Sequence, residues 1–463
     1  MPVLVVNLMP HRGYIRELKP TLLLAAPITA GHLSQMILGI TDTVMIGRVG
    51  VVPLAASALA HTLFHFLFMV GIGTLSSVSV LVSHAYGAGD RREAGEMLRR
   101  GMAISVVGGI LLFLLLWSTF PFLGILRQPP EVLATAKPYL WLMGVSMPVV
   151  MSIICVRNYS EAQDAPWPAF WVGLAAVLLN IFLNWIFIFG HLGVPPMGLT
   201  GAGIATVISR IFNLVVLMYW LRHDRRFRHS WPRRWLERIP WPGLLYMIRL
   251  GLPVGLQLLA EVGAFSSTTL LMGLLGVVEM AAHQVAITCA ATTFMVPLGI
   301  SLAVGIRVGH VIGASQPQRA RVVAFGAGGF TLGLAGLFTA FFILFNQLLA
   351  RAFTPDPATI QMAASLLVVA GIFQFFDGTQ VLAAGSLRGC KDVRVPTWII
   401  IFAYWGIAIP SGMLLAFILE LGAVGLWIGL AFGLLSAAVG LVSRFVWITG
   451  KMTEMIDDWI GIT

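Results

Sequence analysis

The sequence predicts an all-α, polytopic membrane protein, with twelve transmembrane helices in two pseudo-symmetric six-helix lobes around a central cleft. Three observations carry this. Hydrophobic residues fill 58% of the 463 positions and charged residues only 10%, too little polar surface for a water-soluble chain. The apolar runs repeatedly reach the ~20 residues that take an α-helix across a hydrocarbon core. The second half of the chain repeats the first.

Turn and charge clusters divide the chain into spans at about 21–47, 53–83, 102–126, 138–160, 168–190, 199–221, 244–273, 279–311, 322–348, 359–386, 396–419 and 422–446. Each boundary has a local cause, because Pro and Gly interrupt helix and charge stays in water. Span one ends at Gly47-Arg48 and span two opens at Pro53. Arg99-Arg100 and Arg127-Gln128-Pro129-Pro130 enclose span three. Spans four and five open near Pro138 and Pro168, and span six runs from Gly198 into Arg222. In the second half, Gly273 to Gly276 separates spans seven and eight, Arg319 and Arg351 flank span nine, and Pro357 opens span ten. Pro396 and Glu420 bound span eleven, and Gly422 opens span twelve. Several spans are long enough to tilt. The organisation expected is an N-lobe over 1–221, a basic linker over 222–243 and a C-lobe over 244–463.

An even number of spans puts both termini on one side. With that side cytoplasmic, the inner segments hold 24 of the 29 Lys and Arg, and the outer loops hold only Arg48, Arg127, Lys137 and Arg351. This is the positive-inside pattern. It also accounts for the net charge of +10 without nucleic acid, since the densest run, RHDRRFRHSWPRRWLER at 222–238, reads as an orientation signal touching anionic lipid headgroups. The opening MPVLVVNLMP lacks a basic leader and a small-residue cleavage site, so no cleaved signal peptide is expected. Cys155, Cys289 and Cys390 are too far apart for a disulfide framework or metal cluster and read as packing residues.

Sliding the sequence by 226 places Pro27–Ala94 on Pro253–Ala320 without a gap, with 21 of 68 pairs identical. The matches include Pro27/Pro253, Gly47/Gly273, Gly50-Val51-Val52 with Gly276-Val277-Val278, and His84/His310. Apolar bias alone does not align Pro, Gly and His in one register. Repeats of six helices share one orientation, so their axis lies along the membrane normal, the arrangement in which transporters bind substrate near the midplane.

Three carboxylates, Asp42, Glu261 and Asp377, fall inside predicted spans. An acid at bilayer depth costs at least ~2.5 kcal/mol, and such residues usually mark an ion or substrate path. Their repeat counterparts are Thr268, Gln35 and Val149, so the shared scaffold does not require them. Arg210 is the one Arg placed within a span away from its cytoplasmic end, as a salt-bridge partner, a substrate-repelling charge or a snorkelling residue. Asn180 and Asn184 share a helix face, which suits either pocket lining or helix-to-helix hydrogen bonding. The aromatic and Met content suits a promiscuous cavity.

The segments TDTVMIGR at 41–48, GLPVGLQLLAE ending at Glu261, His283-Gln284, FDGTQVLAAGSLRGCKD at 376–392 and LLNIFLNWIFIFG at 178–190 resemble the multidrug and toxic compound extrusion (MATE) family, in its NorM-like branch. The resemblance implies a secondary exporter of the bacterial cytoplasmic membrane, working as a monomer, that exchanges cationic or amphipathic drugs for inward sodium or protons. It assigns Asp42 to coupling and drug binding in the N-lobe, where Asn180 and Asn184 are the candidate pocket residues beside it. Glu261 and Asp377 fall to the C-lobe cation site, where they are the sodium ligands if sodium is the ion. Gln35 and Gln284 are candidate cavity-lining residues; Pro27 and Pro253 each remove a backbone hydrogen bond and permit a helix bend, and the resemblance implies that the first of these bends is functional. One departure concerns the ion: where relatives can carry a Tyr, this chain has Phe373, whose ring lacks a hydroxyl and offers only its face. No cofactor is expected.

A carboxylate taken out of water prefers its neutral form, so one residue suffices to carry a proton, whereas sodium needs several oxygens. The proton is therefore the expected coupling ion. A lipid-linked oligosaccharide flippase of the same superfamily is the alternative, but it needs several basic residues to meet pyrophosphate. A membrane-embedded enzyme needs catalytic groups at set spacing, which this sequence lacks.

Overall fold

The computed structural model describes residues 12–460 apart from 233 and 236. The opening run discussed above lies outside the described residues. The helices are α1 (Arg12–Gly47), α2 (Val51–Gly87), α3 (Arg91–Ser118), α4 (Pro130–Val145), α5 (Met147–Glu161), α6 (Pro166–Phe189) and α7 (Gly198–His223), then α8 (Trp241–Leu275), α9 (Val277–Gly313), α10 (Pro317–Phe353), α11 (Pro357–Gly389), α12 (Arg394–Ile401), α13 (Ile409–Met413) and α14 (Gly422–Ile460). Wider π-helical turns, Phe402–Ala408 and Leu414–Ile418, flank α13, so α12 and α13 form one span. Among the described residues, eleven helices have the length and apolarity to cross a membrane, and the α4–α5 pair, bent by 41°, makes a twelfth. The bend falls at Ser146, where Pro148 has no N–H to continue the helical ladder. An all-α, multi-pass fold is the result.

The repeat reaches down to backbone conformation. Gly50 and Gly276, at the starts of α2 and α9, have φ of 152° and 156° with ψ of 172° in both. Gly89 and Ser315 share a positive φ of 76° and 58°, as do Gly198 and Gly422 at 53° and 55°. At the glycines the missing Cβ removes the cost of a positive φ, whereas Ser315 takes that conformation with its Cβ in place. At the ends of α2 and α9 the carbonyls of His84 and His310 accept the capping N–H of Ala88 and Ala314.

Two compact units emerge, Ala30–Leu258 (the N unit) and Met1–Thr29 with Leu259–Thr463 (the C unit). The expected boundary in the linker 222–243 therefore marks the sequence repeat rather than the compact units, which instead divide α1 and α8 themselves. Those two cuts fall just after Pro27 and Pro253, both inside continuous helices. In the N unit the first part of α8 lies against α2: a Cβ on Gly73 would sit 2.1 Å from the Gly255 nitrogen, and one on Gly251 2.0 Å from the Thr74 carbonyl oxygen. The repeat-equivalent contact lies in the C unit, where a Cβ on Gly299 would meet Thr29 Oγ1 at 2.0 Å. Glycine lets these backbones approach, the usual device where lipid supplies no hydrophobic drive for helix association.

The basic linker is docked on the N unit. Phe227 is buried with its ring 5.7 Å from that of Tyr159. Tyr159 donates to Ser230 Oγ, and Arg99 donates to the Glu237 carbonyl at 2.7 Å. In the C unit, Glu17 of α1 is held by Arg307 and Arg319. There α14 presents Gly425, Gly429 and Gly433 to Ala416, Gly412 and Ala408 of the eleventh span. Small residues on both partners seat that span tightly, which fixes Tyr404 one turn before Ala408.

Candidate functional site

Each unit holds one polar cluster inside its helices. In the N unit, α1 carries Asp42 half-buried, and α6 brings Asn180 and Asn184 to it, both buried. Asn184 Nδ2 donates to Asp42 Oδ1 at 2.6 Å and to Asn180 Oδ1 at 3.0 Å, and Asn180 Nδ2 reaches Thr206 Oγ1 at 3.5 Å. The Oδ1 of Asn184 is itself buried without a hydrogen-bond partner. Spacing four apart on one helix face is what lets the Asn184 amide bridge the Asp42 carboxylate and Asn180. Arg210 of α7 donates to Ser146 Oγ at the α4–α5 bend and lies 5.2 Å from the centre of the Phe64 ring. Among the described residues it forms no ion pair, so of the three roles left open for it, the salt bridge is the one this geometry does not use. Tyr139 Oη pairs with His61 Nε2 at 3.0 Å beside the same cluster.

In the C unit, Glu261 on α8 and Asp377 on α11 are brought together with Tyr404 and Gln380. The Tyr404 hydroxyl lies 3.3 Å from Glu261 Oε1 and 3.2 Å from Gln380 Oε1. Gln380 follows Asp377 by three residues and so shares its face of α11. Asp377, Gln380 and Tyr404 are all buried. Phe373 lies one turn before Asp377, and its ring packs on Trp427 with centroids 5.6 Å apart. The contact is edge-to-face, and the Phe373 ring is buried. Trp427 donates to His283 Nδ1, and His283 Nε2 meets Thr269 Oγ1 at 2.9 Å, which makes His283 a satisfied core residue.

The remaining expected positions separate. Gln35 is exposed in the N unit, and Gln284 is exposed in the C unit, where its Nε2 reaches Thr288 Oγ1 at 3.4 Å. Arg388 lies in the last turn of α11 and reaches Ser301 Oγ at 3.5 Å. Sequence reasoning missed Tyr404 and Gln380. The signal for the first was available, because only seven tyrosines occur in the chain, and Tyr normally sits at the membrane interface rather than in mid-span. Gln380 lay within a motif read only for its aspartate.

Duplicated six-helix units with lone acids inside their spans define a multi-pass membrane transporter. The MatE family model matches residues 27–186 and again 253–414, once in each half, and the chain belongs to that family. It is 35% identical over 436 residues to a protein of Xylella fastidiosa named probable multidrug resistance protein NorM, covering 94% of this chain and 93% of that one. It is likewise 35% identical to multidrug resistance protein PmpM of Pseudomonas aeruginosa, covering 92% and 91%. Its fold matches the eukaryotic MATE transporter AtDTX14 with a TM-score of 0.85 at 22% identity, over 96% of this chain and all of that one. The bent form of the Vibrio cholerae MATE transporter VcmN matches equally well, with a TM-score of 0.85 at 21% identity over 96% and 99%.

Proposed function

We propose that this protein is a secondary active multidrug exporter of a bacterial cytoplasmic membrane. It expels cationic or amphipathic compounds by alternating access, in antiport with protons, and both its termini lie in the cytoplasm. The family and the multidrug resistance names of the relatives support export. The observation that carries the mechanism is the pairing of Asp42. Its carboxylate is hydrogen-bonded to an uncharged amide and, among the described residues, forms no ion pair, with Arg210 acting on it only through space, so its charge is left for an exchangeable cation. A proton on Asp42 fits this arrangement further, because rotation of the Asn184 amide turns its orphaned oxygen into an acceptor for that proton. An organic ammonium competes for the same charge. A gradient drives export when the two ligands favour different arrangements of the protein.

Sodium is the second reading, and a specific observation favours it: the Tyr404 oxygen lies beside both Glu261 and the Gln380 oxygen, in a set with Asp377 that suits a hard cation better than one carboxylate does. The two readings separate in proteoliposomes. With inside-out protein and no sodium, an imposed pH gradient is expected to drive accumulation of ethidium, and Asp42→Asn to abolish it. Transport that follows a sodium gradient at equal pH and ignores protons would overturn the proton reading.

A further inference from the structure

The span that carries Tyr404 is joined to the stretch of α8 that carries Glu261 by three contacts. Trp405 Nε1 donates to the Ala260 carbonyl at 3.1 Å, the Tyr404 ring packs on that of Phe265 at 5.9 Å, and the Tyr404 hydroxyl reaches Glu261. Successive side chains on an α-helix diverge by about 100°. Tyr404 and Trp405 instead grip adjacent residues of one neighbouring helix, and they do so from a π-helical turn, whose wider winding brings consecutive side chains closer in direction and which is often found at functional sites. The hydroxyl faces two acceptors at nearly equal distance, 3.3 Å to Glu261 Oε1 and 3.2 Å to Gln380 Oε1. It has a single proton and serves only one acceptor at a time.

We propose that Tyr404 is a positioning residue that senses whether the coupling cation occupies Glu261, by moving its hydroxyl proton between Glu261 and Gln380. When Glu261 is empty and anionic, it is the stronger acceptor, since a hydrogen bond to a charged group is roughly twice as strong as a neutral one. When a cation neutralises Glu261 that advantage is lost, and the neutral Gln380 carbonyl takes the bond. The choice links α8, through the π turn, to α11, where Gln380 shares a face with Asp377. The hydroxyl absent at Phe373 is thus supplied from a different helix.

This rests on the cation reading of Glu261 given above, and the test keeps the two apart. Half-saturating coupling-cation concentration is measured from ethidium accumulation in proteoliposomes, in separate proton and sodium arms, and ethidium affinity is measured in detergent as a check of folding. Tyr404→Phe removes the bond that favours the empty site, so the half-saturating concentration falls by about five- to tenfold, the difference between a hydrogen bond to a charged group and one to a neutral group. Gln380→Leu removes the acceptor that serves the loaded site, so it rises by a similar factor. A residue needed only for packing would move both variants the same way or lower ethidium binding in both, and either result overturns the proposal, as does a rise for Tyr404→Phe. Glu261→Gln is expected to abolish coupling. If coupling survives it, the cation reading of Glu261 fails; if coupling is lost while Tyr404→Phe behaves as wild type, only the Tyr404 inference fails.

Discussion

Asp42 sets the terms at the residue scale, because a charge on one side chain decides both binding and cost. Asn keeps an acceptor oxygen for Asn184 Nδ2, so Asp42→Asn is expected to leave the protein folded, inserted and unchanged in thermal stability to within ~0.5 kcal/mol, the usual range for a substitution that breaks no packing. Drug resistance in a sensitive host falls to the background level, and minimum inhibitory concentrations read this directly. Asn184→Ala removes the donor instead and leaves Asp42 without its 2.6 Å partner; it reduces transport, whereas Gln284→Ala, at an exposed position, leaves it near wild type. In the linker, hydrogen bonds from the Arg226 side chain hold the Asp224 carboxyl below the ordinary carboxylate range. A depressed value stabilises the folded linker above the unfolded value of about 3.9, and that contribution disappears as pH falls through the folded one. Hydrogen-exchange protection at residues 224–230, taken relative to the intrinsic rate at each pH, should therefore fall below about pH 4, and Asp224→Asn should lower it throughout.

The scale of the element is where glycine placement decides stability. A side chain at Gly73 meets the backbone of α8 at 2.1 Å, which cannot yield as a flexible side chain would. Gly73→Val is expected to destabilise by about 1–3 kcal/mol or more, as overpacking does, and Gly299→Val to behave alike at the repeat-equivalent contact. Gly333 in α10 has no neighbour within 4 Å of a built Cβ, so Gly333→Ala gains ~0.5–1 kcal/mol of helix stability. Melting temperatures in detergent separate these signs. At the start of α3, Asp90 accepts the Glu93 N–H at 2.8 Å, and Asp90→Ala should cost about 1 kcal/mol through the lost cap. The twelve expected spans were legible because a 20-residue apolar run is a local property. The bend at Ser146 has its cause in Pro148, a local signal, whereas the π turns of the eleventh span lie against the small-residue face of α14, which no local pattern shows.

Orientation belongs to the whole molecule. If the basic segments mark the inner face, cysteines placed near Pro129 and Asp356 should label from outside, and those near Arg226 and Lys391 only after permeabilisation. The reverse pattern would invert the inferred direction of export. The compact units also bear on this scale, because α1 and α8 each contribute to both, at positions close to Pro27 and Pro253. Proline removes one backbone hydrogen bond from each helix there. Replacing either with Ala restores that bond, and transport rates in proteoliposomes should fall if bending is part of the cycle.

The sequence by itself determined the class, the helix count, the duplication and the three acids, because hydropathy, periodicity and the cost of buried charge act on residues without reference to distant ones. It also put Asn180 and Asn184 on one face. Only the tertiary structure decided what those residues meet. Asp42 is paired to an amide and not to Arg210; Phe373 packs on Trp427; and the hydroxyl near Glu261 comes from Tyr404, 143 positions along the chain. Contacts of that separation depend on how helices cross, and the crossings are set by glycine and alanine stripes whose partners no single helix reveals.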